Sequence, residues 1–140
     1  MFVWLSEAVT NMYESIAVPS FMNFLRGTPM LPWAFRAMGV NIGRGVFMDT
    51  TDITEYDCVS IGDYSILNAR CGPQTHLFED RIMKIGRVDI GNHVTVLPRS
   101  TILYDTVIGD GVHIGALSLI LKGEQLPAQT RWIGTPAHND

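Results

Sequence analysis

The sequence predicts an all-β fold, a parallel β-helix of six-residue repeats that carries a short helical N-terminal arm. Three observations predict it. Branched aliphatic residues recur at every sixth position from Ile90 through Val96, Ile102, Ile108 and Ile114 to Ile120, without a miss. Four residues after the first five of these stand Val94, Ser100, Thr106, Val112 and Ser118, each small or β-branched. Glycine follows the aliphatic in Ile90-Gly91, Ile108-Gly109 and Ile114-Gly115, and the same dipeptide occurs upstream in Ile42-Gly43, Ile61-Gly62 and Ile85-Gly86.

A period of six fits neither an amphipathic helix nor an alternating strand. It is also too short for an ordinary parallel sheet, whose strands need crossovers of about a dozen residues or more. It fits short flat strands joined by tight corners, three to a triangular coil of about eighteen residues. Stacked coils then hydrogen-bond like parallel strands roughly 4.8 Å apart. The aliphatic points inward, the small residues fill the corners, and glycine accepts backbone angles that a β-branched residue resists.

The arm is assigned to residues 1–39 and the β-helix to residues 40–137. Leu5, Val9, Met12, Tyr13 and Ile16 recur at three- and four-residue steps, which predicts a helix from Val3 to Ala17 that ends at Pro19. A second short helix runs through Phe21, Met22, Phe24 and Leu25 and stops at Gly27, ahead of Pro29. A further helical turn is expected from Pro32 to Met38, closed by Gly39. The arm is expected to cap the open end of the coil, which otherwise leaves core side chains in water. Docking on a membrane surface is the rival, and the arm has few basic residues with which to meet anionic lipid.

Met1 to Leu25 is rich in apolar residues but is interrupted by Glu7 and Glu14. No run reaches the roughly 20 residues of a membrane span, and no basic leader or small-residue cleavage site stands out, so a cytoplasmic protein is expected. The 140 residues are 46% hydrophobic and 17% charged, enough for one real core. Net charge is −4, and the ten basic residues are scattered, which leaves no stripe for nucleic acid. Cys58 and Cys71 form no CxxC motif and read as packed thiols in a reducing cytosol.

The six-residue register slips twice. One extra residue separates the phase of Ile42 and Met48 from that of Ile61 and Leu67. The larger slip is the polar and basic stretch from Gly72 to Lys84, after which the pattern re-enters at Ile85-Gly86. It predicts a loop projecting from the coil, and loops on a rigid scaffold are where binding and catalysis concentrate.

That loop contains His76. A general base must take a proton from a group such as a hydroxyl or an amine, and an imidazole, whose ordinary pKa is about 6.5, suits that task. Glu79 and Asp80, three and four residues on, are candidates to orient the ring. Asn68 or Gln74 could hold the acceptor, and Arg81 and Lys84 could meet phosphates. The plainer alternative is that His76 caps the loop while Arg81 pairs with Glu79 on a solvated face. His93 and His113 are expected at surface or corner positions and His138 near the terminus. Successive histidines stand 17, 20 and 25 residues apart, so no close pair invites zinc and no metal is expected. Leu97, Leu103 and Leu121 stand where glycine follows the aliphatic elsewhere, and they suit either an apolar ligand channel or a subunit interface.

The repeat, together with Arg131-Trp132-Ile133-Gly134-Thr135-Pro136-Ala137, resembles the hexapeptide acyltransferases over about Val40 to Ala137. The resemblance implies a left-handed coil, against the usual hand of parallel crossovers. It further implies a homotrimer, an acyl-coenzyme A thioester in a groove between neighbouring β-helices, a small-molecule acyl acceptor, and a histidine at a projecting loop as general base. His76 matches that position. Trp132 either closes the core or stacks on adenine, with Gly134 and Pro136 beside it at the coenzyme-binding end.

A tighter resemblance is to the C-terminal region of poly-lysine-synthase-type non-ribosomal peptide synthetases. Leu25-Arg26-Gly27-Thr28-Pro29, Asp49-Thr50-Thr51-Asp52, Gln74 to Arg81, Gly115-Ala116-Leu117-Ser118-Leu119 and Lys122-Gly123-Glu124 carry it. It implies an acyl-transfer module whose donor is an aminoacyl thioester on a carrier protein domain. Three functions follow: an acyltransferase using His76, a non-catalytic trimeric scaffold or docking module of a synthetase, and a metal-dependent hydratase like the γ-class carbonic anhydrases. The histidine spacing weakens the third.

Overall fold

The computed structural model describes residues 2–12, 15–16, 22–53 and 55–139. From Asn41 onward the chain winds through three flat faces in turn. The first face stacks β1 (Asn41–Ile42), β3 (Val59–Ile61), β8 (Val88–Ile90), β11 (Thr106–Ile108) and β14 (Gln125–Leu126). The second stacks β2 (Phe47–Met48), β4 (Ile66–Leu67), β9 (Thr95–Val96), β12 (His113–Ile114) and β15 (Arg131–Ile133). An antiparallel β16 (His138–Asn139) edges that face. The third face stacks β5 (Gly72–Gln74), β10 (Thr101–Leu103) and β13 (Leu119–Ile120).

Every pairing between coils is parallel, and the register aligns like with like. Ile42, Ile61, Ile90, Ile108 and Leu126 form one inward column. Met48, Leu67, Val96, Ile114 and Trp132 form a second, and Pro73, Ile102 and Ile120 a third. Nearly all of these side chains are buried in one hydrophobic cluster that extends from Met22 to Ala137. Apolar burial at about 25 cal/mol per Å² drives the winding, while the ladders satisfy the backbone.

The small residues between aliphatics have a polar task that the period alone does not reveal. Ser65 and Ser100 are fully buried, and their hydroxyls donate to Gly91 O at 2.7 Å and Gly115 O at 2.6 Å on the neighbouring coil. The corner between the first and second faces carries a side-chain ladder. Asp63 Oδ1 accepts from Arg44 N, Asn92 Oδ1 from Asp63 N, and Asp110 Oδ1 from Asn92 N, at 2.8, 2.7 and 2.8 Å. The following residues Gly45, Tyr64, His93 and Gly111 all have positive φ, and the rings of Tyr64 and His93 stack 5.5 Å apart. Corner geometry thus selects the left-handed region even where the side chain is aromatic.

Ladder partners are separated by 19, 29 and 18 residues, which locates both register slips. The single extra residue lies near a 3₁₀ turn, Tyr56–Cys58. The large insertion is a β-hairpin of β6 (His76–Glu79) and β7 (Ile82–Ile85), antiparallel and turned at Asp80 and Arg81, both with positive φ. One expectation changes accordingly. Ile85 belongs to the exposed hairpin and is 51% exposed, and the coil resumes at Val88, not at Ile85-Gly86.

The arm divides into two parts with different roles. Met22, in the 3₁₀ turn Met22–Leu25, is buried with Leu31 and Phe35 of α2 (Met30–Ala37), and these three cap the first coil. Gly27 and Gly39 end these segments with positive φ. In contrast, α1 (Phe2–Met12) buries none of its residues, so among the described residues its apolar side chains take no part in the cap. Tyr13, Ala17, Pro19 and Phe21 lie outside the described residues. Among the described residues, no helix is long and apolar enough to cross a membrane.

Candidate active site

Both slips fall at the same corner of the prism, where the third face turns into the first. Stacking therefore sets the residues of one slip against those of the other. Glu55 precedes the 3₁₀ turn in extended conformation. Its Oε1 and Oε2 lie 2.9 and 3.1 Å from Nδ1 of His76, the first residue of the hairpin. The hydroxyl of Thr75, fully buried, donates to Glu55 Oε2. Gly86 N–H donates to Thr75 O at 2.8 Å and closes the hairpin root.

With a carboxylate as acceptor on Nδ1–H, a neutral imidazole carries its free lone pair on Nε2, the arrangement that makes histidine a base with a fixed ring plane. The ring meets Phe78 edge-on at 6.2 Å between centroids. His76 and Glu55 share a cleft of about 650 Å³ between the hairpin and α1. Phe78, Met83 and Ile85 form one wall, and Phe2, Val3 and Glu7 the other.

Glu79 does not orient His76. Successive strand residues alternate between faces, so in β6 His76 shares a face with Phe78 while Glu79 lies on the opposite one. Its carboxylate instead accepts from Lys122 at 2.6 and 2.7 Å and from Lys84 at 3.0 Å. Lys122 first, and then Lys84, hold Glu79 below its ordinary range, and Glu79 in turn raises Lys122. A spacing of three or four suits a helix or an irregular loop, and the expectation for Glu79 failed because this segment is a strand.

The other expected residues scatter within one chain. Asn68 uses its amide to donate to Val96 O at 2.8 Å, a rung between coils, and Gln74 is exposed at the end of β5. Arg81 is exposed at the hairpin turn, and Lys84 is engaged with Glu79. Trp132 packs against the end of the core and donates from Nε1 to Thr130 Oγ1 at 3.0 Å. Gly134 N donates to Ser118 Oγ at 3.3 Å, and Pro136 is exposed. These last three occupy the final coil, not the His76 corner. Among the described residues, no three His, Cys, Asp or Glu side chains gather to hold a metal ion.

Glu55 has no local sequence mark. Its signal is the one-residue slip in the first coil, which adds chain at the corner where the second coil adds a hairpin.

Comparison with known proteins agrees with both parts of the resemblance drawn from the sequence. Residues 87–122 match the family of bacterial transferase hexapeptide repeats. The chain is 60% identical over 137 residues, 98% of its length, to a delta-poly-L-ornithine synthetase of Acinetobacter baumannii. It spans only 10% of the length of that relative. Among solved structures, a hexapeptide-repeat containing acetyltransferase from Vibrio cholerae superposes with a TM-score of 0.69 at 16% identity, covering 96% of this chain and 90% of that one. An N-acyltransferase from Bacillus cereus, in complex with dTDP-4-amino-4,6-dideoxyglucose and coenzyme A, superposes with a TM-score of 0.52 at 20% identity. It covers 71% of this chain and 57% of that one. The fold is the left-handed parallel β-helix of hexapeptide repeats.

Proposed function

We propose that this chain is an acyl-transfer module in which His76, oriented by Glu55, acts as general base on an acceptor amine. The observation that carries this reading is the Glu55 carboxylate on His76 Nδ1, both residues lining one cleft. The lone pair of a neutral amine attacks the thioester carbonyl, the C–N bond forms and the C–S bond breaks. His76 Nε2 takes the proton released from the attacking nitrogen and returns it to the departing thiolate. The products are an amide and a free thiol. A positioned base of this kind contributes about 10²- to 10⁴-fold.

An amine is favoured over a hydroxyl because the similar protein is named a delta-poly-L-ornithine synthetase, and amino acids join into such a polymer through an amine. The donor is a thioester of coenzyme A or of a carrier domain. Coenzyme A in the Bacillus cereus structure supports the first, and the short span of the synthetase relative supports the second. The module works as a homotrimer in the cytosol. Phe47, Ile66 and Leu121, exposed on the coil faces, supply apolar surface for subunit contact, and both described cysteines are free thiols.

The test is thiol release from acetyl-coenzyme A with L-ornithine or an aliphatic diamine as acceptor, comparing wild type with His76→Ala. Release by wild type alone supports the reading. Equal release by both variants removes His76 from the chemistry.

A non-catalytic docking module is the second reading. The observation in its favour is α1, which leaves Trp4 and Leu5 largely exposed and buries none of its residues. It predicts no thiol release from either donor.

A further inference from the structure

The hairpin of β6 and β7 is a two-stranded sheet of its own that, among the described residues, pairs with no coil strand. Such hairpins are marginal in water, so the placement of His76 depends on how the hairpin is attached. At the root, Gly86 and Glu55 hold Thr75. At the far end, Glu79, the last residue of β6, receives Lys122 Nζ on both carboxylate oxygens. Lys122 lies 43 residues further along, after β13 and two coils on from β5. Its Nζ also stands 5.9 Å from the ring centroid of Tyr104, a buried side chain on the intervening coil.

We infer that Lys122 is a positioning residue for His76, clamping the far end of the hairpin to the β-helix through Glu79. For turnover the inference rests on the acyl-transfer reading above, whereas the clamp itself does not. Exposed ion pairs are ordinarily weak. Here the lysine engages both oxygens, lies over an aromatic ring, and closes a segment whose local opening costs little. A small contribution therefore changes the open fraction several-fold. Lys84 belongs to the hairpin itself, so its contact with Glu79 cannot anchor the hairpin to the coils.

The experiment compares Lys122→Met and Lys122→Arg with wild type, using amide hydrogen exchange and thiol-release kinetics on the full chain. Lys122→Met is expected to speed exchange in β6 and β7 roughly fivefold, the upper range for one exposed pair, with β8 and β11 unchanged. It is expected to lower kcat by a smaller factor, since exchange follows the open fraction and turnover the closed one, with little change in KM, and Lys122→Arg is expected to restore both. Unchanged hairpin exchange in Lys122→Met overturns the clamp. Faster exchange with unaltered kcat overturns the positioning role. If wild type releases no thiol, the acyl-transfer reading has failed, and the exchange comparison alone decides the clamp.

Discussion

Glu55 and His76 stand 21 residues apart in sequence and within hydrogen-bond distance in space, with Nδ1 2.9 Å from Oε1 and 3.1 Å from Oε2. Parallel stacking produces this contact, because a corner residue of one coil lies beside the equivalent corner of the next. Replacing Glu55 by Gln keeps the shape of the side chain but removes the charge that stabilises a ring accepting a proton. Glu55→Gln is expected to lower kcat about tenfold, less than the loss of at least ~10²-fold expected for His76→Ala. Steady-state thiol release with both variants checks the order.

The core and the hairpin are expected to differ sharply in their response to truncation. Ile102 is fully buried in the third inward column, while Ile85 lies exposed in β7. Ile102→Ala is expected to destabilise the fold by about 2–5 kcal/mol. Ile85→Ala is expected to change stability by no more than about 0.5 kcal/mol. Urea denaturation of the two variants measures both.

The two thiols are expected to resist modification to different degrees. Burial first, and then Asp52, push the Cys71 thiol up to about 12, so it presents almost no thiolate at pH 8 in the native protein. Burial and the neighbouring Asp57 also raise Cys58, but that side chain is only half-buried. A disulfide reagent under native conditions is expected to modify Cys58 slowly and Cys71 only after unfolding.

The contact between Glu79 and Lys122 sets a pH window for the hairpin. Lys122 and then Lys84 depress Glu79 from its ordinary 4.5, so its contribution is present above that value and is lost as pH falls through the depressed one. Glu79 raises Lys122 from its ordinary 10.5, so that contribution is present below 10.5 and is lost as pH rises through the raised value. The difference in hairpin exchange protection between wild type and Lys122→Met is expected to stay constant between these limits and to shrink in strong acid and strong alkali.

The columns of the β-helix were legible because Ile90 to Ile120 repeat the same inward role every six residues, and burial depends on that role alone. His76 was legible as a residue of an insertion. Its partner was not, since Glu55 is brought near by stacking, which no local pattern encodes. Glu79 misled because its spacing from His76 has meaning only once the segment is known to be a strand. The arm was half legible: Leu31 and Phe35 cap the first coil as expected, whereas α1 buries none of its residues among those described.

The most direct test of the account is nitrogen-15 NMR of the His76 ring in wild type and Glu55→Gln. The account predicts that the neutral ring carries its proton on Nδ1 in wild type, held there by Glu55, and loses that preference in the variant. A wild-type ring protonated on Nε2, or a tautomer that ignores the loss of the carboxylate, would contradict it.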